Sequence, residues 1–145
     1  MTEASQIAAV AHVIQLAVAP VFLLSGIGAM LAVMTNRLAR VVDRARVLEG
    51  TLSIDTPAPT PIQAELTTLA RRAKLVSGSI TLCTVTALLV CAVIAMLFLG
   101  DFVQFDVSFV VRLLFLASMA TFFTALVLFL REILIATRAM RIGPL

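Results

Sequence analysis

The chain has 145 residues, 61% of them hydrophobic and 13% charged, with a mean hydropathy of +1.12 and a formal net charge of +3. A soluble domain averages roughly 45–50% apolar and about 25% charged residues, so a water-soluble fold of this composition would expose large apolar patches. The composition specifies one membrane-embedded domain over residues 1–145 and excludes an ordinary soluble one.

Residues of about 7–34 form the first predicted span, apolar except for His12, Gln15 and Ser25. Some 20 residues cross the hydrocarbon, so this helix is long enough to tilt or to project beyond it. The leader Met1–Gln6 carries no basic n-region and does not read as a cleavable signal. Pro20 predicts a kink in mid-span. Ser25, Gly28, Ala29 and Ala32 form a small-residue face suited to close helix contact. Gln15 lies in the outer third, where an amide must face another helix and, in a symmetric oligomer, forms a polar ring. His12, a turn above it, reads as an interfacial residue, with pH sensing as the alternative.

Past this span the apolar residues Leu38, Val41, Val42, Ala45 and Leu48 recur on one helical face. Arg40–Asp43 and Asp43–Arg46 make i,i+3 pairs on the other. Ile62, Leu66, Leu69, Ala70 and Ala73 repeat the pattern on a returning arm. Between the arms, about residues 50–61 hold Gly50, Pro57, Pro59 and Pro61 among small polar residues, a helix-breaking and flexible tip. A helical hairpin over about residues 36–74, extending the first two spans, is therefore expected.

The second predicted span, about residues 75–99, carries Ser77, Thr81, Thr84, Cys91 and Ala95 along one face as a packing stripe, and Gly100 and Asp101 end it. Cys83 and Cys91 lack metal or redox spacing; about 12 Å of helix rise between them also rules out a disulfide within one helix. The third span, about residues 107–130, has Ser118, Thr121 and Thr124 on one side. It is interrupted by Arg112, a turn and a half from its start. That arginine either snorkels to the outer interface or pairs with Asp101, Asp106 or Glu3; with His12 these make an outer charge cluster, and a gate or ion-site role is the alternative. At the other end Arg131 and Glu132 stand level with Arg37, Arg72 and Lys74, so that a salt bridge from Glu132 clamps the inner helix ends together; a ligand site is the alternative.

Of the eleven basic residues all but Arg112 fall in two blocks, Arg37–Lys74 and Arg131–Arg141. The loop between the second and third spans holds only Asp101 and Asp106. The positive-inside rule puts the hairpin and C-terminus in the cytoplasm and the N-terminus outside. The basic blocks read as contacts with anionic headgroups of the cytoplasmic leaflet rather than with nucleic acid. Arg37–Arg40 and Arg138–Arg141 repeat one another as i,i+3 pairs just past a span.

Chemistry is thinly represented. The single histidine is near the outer edge, away from any GxSxG elbow, and neither HExxH, a P-loop nor GxGxxG occurs. No inverted repeat with broken paired helices marks a secondary transporter. The expectation is a protein that is not an enzyme and needs no cofactor.

The run Ile14–Gly28, the segment Asn36-Arg37-Leu38-Ala39-Arg40-Val41-Val42-Asp43-Arg44-Ala45-Arg46, and the later pieces Arg71–Ala73, Leu128–Glu132 and Thr137–Arg138 resemble a bacterial membrane protein family catalogued as domain of unknown function 2721. The resemblance covers the chain except its leader and proline linker. It implies a three-helix protein of the bacterial inner membrane and assigns no functional residues.

Two functional readings stay open. One is a homo-oligomeric ion-conducting pore, with Gln15 above and Asn36, Arg37 and Arg40 at its cytoplasmic mouth, arginine rings favouring anions. The other is a non-conducting scaffold or adaptor whose basic hairpin binds a protein partner or anionic lipid.

Overall fold

In hydrocarbon an open chain must pair every backbone N–H and C=O within its own segment, and only a helix does this. The computed structural model describes residues 3–52, 60–103 and 107–139. They form α1 (Glu3–Leu52), α2 (Thr60–Val103) and α3 (Ser108–Ala139), with no strand among the described residues. Helices of 50, 44 and 32 residues rise about 75, 66 and 48 Å at roughly 1.5 Å per residue, against a hydrocarbon core of about 30 Å. Each contains an apolar window long enough to cross a membrane, and only 17–22% of each window is buried. Phe22, Phe109 and Phe123 stand 74%, 69% and 69% exposed, a surface that suits acyl chains and not water. The chain is an all-helical, multi-pass membrane protein.

The helix ends differ from the sequence reading. α1 continues through Gly50 to Leu52 and α2 starts at Thr60, so the helix-breaking stretch is shorter than residues 50–61, and its remainder, 53–59, lies outside the described residues. Pro61 sits in the first turn of α2, where its missing N–H breaks no intrahelical bond. Gly50 has open space around it and costs α1 only its intrinsic propensity. α2 also runs past Gly100 and Asp101 to Val103, and α1 is one helix through the buried Pro20. The carbonyl of Val107 accepts the first hydrogen bond of α3, from Val111 N–H at 2.9 Å.

The chain packs as two units, Met1–Met30 with Leu82–Phe123, and Leu31–Thr81 with Thr124–Leu145. The first buries Val13, Ala17 and Ile27 of α1, Cys83, Thr86, Val90 and Val93 of α2, and Ser118 of α3. Its buried hydroxyls are satisfied without water. Ser118 donates to the Phe115 carbonyl at 2.7 Å. Thr86 and Thr121 meet at 2.9 Å, and each also lies within reach of its own helix's carbonyls. Two hydroxyl protons serve that set, so one bridges the threonines and the other closes on a helix backbone.

The second unit buries Met34, Val41 and Leu48 of α1, Leu69, Val76 and Ser79 of α2, and Ala125, Phe129 and Glu132 of α3. Val41, Leu48 and Leu69 form the hairpin core, with Ala45, Ile62, Leu66 and Ala73 packed against it. Across the arms Arg44 pairs with Glu65 at 2.9 Å, both side chains about half exposed, which contributes little to stability. Neither Arg40 nor Arg46 forms an ion pair with Asp43 among the described residues. These i,i+3 partners are exposed, and such a pair stabilises a helix by only about 0.2–0.5 kcal/mol.

Burial along each helix steps by sevens: Ile27, Met34, Val41 and Leu48 on α1; Leu69, Val76, Cys83 and Val90 on α2; Ser118, Ala125 and Glu132 on α3. That spacing is the heptad period of a helix seam. Within one chain the helix contacts follow this seam rather than the small-residue faces. Ser25, Gly28, Ala29 and Ala32 on α1, and Ser77, Thr81, Thr84, Cys91 and Ala95 on α2, all point outward, as does Thr124 on α3. On α1 the seam residues Ile27, Met34, Val41 and Leu48 offer more contact area than its small-residue face, and dispersion puts them inside; on α3 the seam itself holds the small Ser118 and Ala125.

Candidate functional site

The heptad register of α3 carries a carboxylate, Glu132, into the interior of the second unit, where its side chain is fully buried. A buried charge persists only when paired and hydrogen-bonded. Arg72 of α2 supplies two donors to one oxygen: its Nε and Nη2 donate to Oε1 at 3.1 and 2.8 Å. Arg37 of α1 donates from Nη1 to the other oxygen, Oε2, at 3.2 Å. The Arg37 guanidinium also lies 5.6 Å from the centroid of the Phe129 ring, close enough for a cation–π contact. One carboxylate thus joins two guanidiniums from two helices to a third, and the triad keeps one positive charge in excess.

A groove of about 500 Å³ opens beside this triad, lined by Asn36, Arg37, Arg40, Arg44 and Arg72 with Val33, Val41, Leu69 and Ala136. Asn36, Arg37, Arg40 and Arg44 share one face of α1, being spaced by one, three and four residues. Four guanidiniums set against Glu132 and Glu65 leave the groove a net charge of +2. Arg40 is exposed and forms no ion pair among the described residues. The set offers fork-shaped donors, three of the four held by ion pairs, over an aliphatic floor, a chemistry that holds carboxylates and phosphates. Nucleophile and base are both missing from its lining.

The other residues singled out in the sequence fall elsewhere. Lys74 and Arg131 are exposed and do not reach Glu132; the bridge is made by Arg72 and Arg37. The reason is register: Arg131, one step from Glu132, is turned about 100° away from it around α3. It lines instead a groove of about 280 Å³ with Arg71, Leu75, Leu134, Ile135 and Arg138. Gln15 and His12 belong to the first unit, are exposed, and have no hydrogen-bond partner among the described residues. Arg112 is exposed and folds back along its own helix, its Nε donating to the Ser108 carbonyl at 3.1 Å. It forms no ion pair among the described residues; the Asp101 side chain and Asp106 lie outside them. The candidate outer cluster of His12, Asp101, Asp106 and Arg112 therefore falls in part outside the described residues. Arg44 and Arg71 were missing from the sequence reading of the site, although Arg37 and Arg44 stand seven residues apart on one face.

No curated protein and no solved structure matches the chain. A family model described as "Protein of unknown function (DUF2721)" matches residues 17–142, a stretch that includes Arg37, Arg72 and Glu132. With most of its length matched, the chain belongs to the DUF2721 family, the one its motifs resemble.

Proposed function

We propose that this protein is a self-associating, non-enzymatic scaffold of the bacterial inner membrane, with its N-terminus outside and its hairpin and C-terminus in the cytoplasm. The hairpin docks an acidic segment of a partner protein in the arginine-lined groove. The observation that carries this reading is the groove itself: Asn36, Arg37, Arg40, Arg44 and Arg72 converge from two helices, with two of the guanidiniums held by a buried carboxylate. Anchoring on Glu132 lowers the entropy lost when an anion is gripped. The asymmetry of basic residues supports the orientation.

Self-association rests on Gln15, an exposed amide within a span with no partner among the described residues; a second copy is the obvious source of one. The same residue favours a second reading, a pore ringed by Gln15. A pore needs a closed ring of copies around a wettable axis, and Arg37 at its mouth would already be committed to Glu132.

The deciding experiment counts subunits in a lipid nanodisc by native mass and follows anion flux in liposomes. A dimer without flux, binding a glutamate-rich peptide in a salt-dependent way that Arg40→Glu weakens several-fold, is the expected result. A closed ring of four or more copies that conducts anions, with selectivity changed by Arg40→Glu, would replace the scaffold by the pore.

A further inference from the structure

The arginine groove described above is partly neutralised by two glutamates. The second basic groove, between α2 and α3, is not. Arg71 of α2 and Arg131 and Arg138 of α3 line it together with Leu75, Leu134 and Ile135, and no acidic residue joins them. All three arginines are exposed, and none has a hydrogen-bond or ion-pair partner among the described residues.

This convergence follows from register. Arg131 and Arg138 are seven residues apart, two turns of the same face of α3, with Leu134 and Ile135 between them. Leu75 lies one turn beyond Arg71 on the facing side of α2. Three like charges around one groove repel each other, an arrangement that is relieved when an anion enters. Arg138 also occupies the last turn of α3.

We infer that this groove is a binding site for the phosphate headgroup of an anionic phospholipid. Guanidinium forks match phosphate oxygens in geometry and in charge, and basic pockets between membrane helices are the usual way such headgroups are held. The volume of about 280 Å³ is just below the roughly 300–1,000 Å³ of sites that enclose whole drug-sized ligands, so the groove takes a headgroup and leaves the acyl chains outside. Those chains have a surface ready: Leu134 is 49% exposed and Leu130, one turn nearer the centre of the span, 54%. A lipid, unlike a soluble phosphate, uses both the arginines and this adjoining apolar face. The inference is independent of the scaffold reading and of the groove around Arg40.

The test is native mass spectrometry of the full-length protein in detergent micelles, titrated separately with phosphatidylglycerol, phosphatidylcholine and inorganic phosphate. Phosphatidylglycerol adducts should survive at collision energies that strip phosphatidylcholine, and phosphate should leave no adduct. Arg131→Gln and Arg138→Gln should each reduce phosphatidylglycerol occupancy several-fold, whereas Arg46→Gln, an exposed arginine on the hairpin outside both grooves, should not. Thermal unfolding of each variant without added lipid checks folding, and either of the two groove variants suffices for the comparison. Equal loss in the Arg46 variant would mean diffuse attraction and overturn the site. Equal retention of phosphatidylcholine, or a phosphate adduct as persistent as the lipid's, would overturn it too. Loss of peptide binding by Arg40→Glu with phosphatidylglycerol retained would separate this site from the scaffold groove.

Discussion

Arg72 sets two of its nitrogens against a single oxygen of Glu132, at 3.1 and 2.8 Å, and thereby leaves the second oxygen to Arg37 at 3.2 Å. The carboxylate is fully buried, whereas the Arg37 and Arg72 side chains keep 41% and 21% of their surface exposed. The charges can therefore rehydrate unequally when one of them is removed. Glu132→Ala leaves two guanidiniums facing each other without a counter-charge, and breaking such a pair costs about 3–5 kcal/mol in a protein interior. Part of the guanidinium surface is already wet, which puts the expected loss near the lower end, about 3 kcal/mol. Unfolding in detergent micelles measures it, and an unchanged midpoint would refute the clamp. Glu132→Gln keeps the shape and one acceptor, so its loss is smaller.

The same exposures rank the two arginines. Arg72→Ala removes two donors from the buried carboxylate, while Arg37→Ala removes one donor and a ring contact with Phe129. Arg72→Ala should be the more destabilising, and Arg72→Lys should recover only part of the loss because a single ammonium replaces a two-nitrogen contact. Comparing the three unfolding midpoints is enough; a larger loss from Arg37→Ala would reverse the assignment.

Much of this arrangement is written in the sequence, but in two different alphabets. Hydropathy alone marks three spans, because lipid leaves little choice of element. The hairpin core is legible as well, since Val41, Leu48, Leu66 and Leu69 repeat with helical period in a segment otherwise rich in charge. Which face of a membrane helix points inward is harder to read, because lipid is as apolar as the interior and polarity no longer sorts the two. Small residues such as Ser25 and Thr81 mark faces suited to contact, and within one chain both are exposed. The seven-residue spacing from Ser118 through Ala125 to Glu132 carries the needed information. It puts Glu132 in the seam and turns Arg131 away. That Arg72 and Arg37, and not Lys74, reach the carboxylate depends on relative helix rotation, which no single-helix pattern contains.

In the first unit, Thr86 and Thr121 offer a cleaner measurement of one bond. Their hydroxyls lie 2.9 Å apart, Thr86 is fully buried, and each has a backbone carbonyl of its own helix as a fallback acceptor. The fallback weakens the coupling, and interhelical hydrogen bonds in membranes average about 0.6 kcal/mol. A double-mutant cycle of Thr86→Val and Thr121→Val should return a coupling of that order. Strict additivity would mean the hydroxyls serve only their own helices.

Gly100 tests the other end of that unit. A Cβ there would overlap the Val107 side chain, and overpacking costs about 1–3 kcal/mol, against a gain of up to about 1 kcal/mol from replacing glycine in a helix. Gly100→Ala should lower the unfolding midpoint. Gly50→Ala, with open space around its Cβ, should not lower it. Equal behaviour of the two variants would remove the steric role assigned to Gly100.

Gly28 separates the fold of one chain from the assembly of several. It is exposed on α1 beside Ser25, Ala29 and Ala32, and a Cβ added there meets nothing within 4 Å. Within a single chain the Cβ of Gly28→Leu therefore meets no neighbour, and the substitution gains helix propensity. Between chains the outcome is different, because small faces in lipid associate by letting backbones approach, and one leucine side chain holds them apart. The expected result is an unfolding midpoint no lower than that of the parent, with a reduced subunit count in nanodiscs. A count that stays the same would exclude this face of α1 from the interface and point to the exposed stripe of Ser77, Thr81 and Cys91 on α2. Cys91 supplies the check in place: exposed while Cys83 is buried, it should cross-link two copies under mild oxidation only if the α2 stripes face one another, since the Cα atoms of a disulfide must come within about 7 Å.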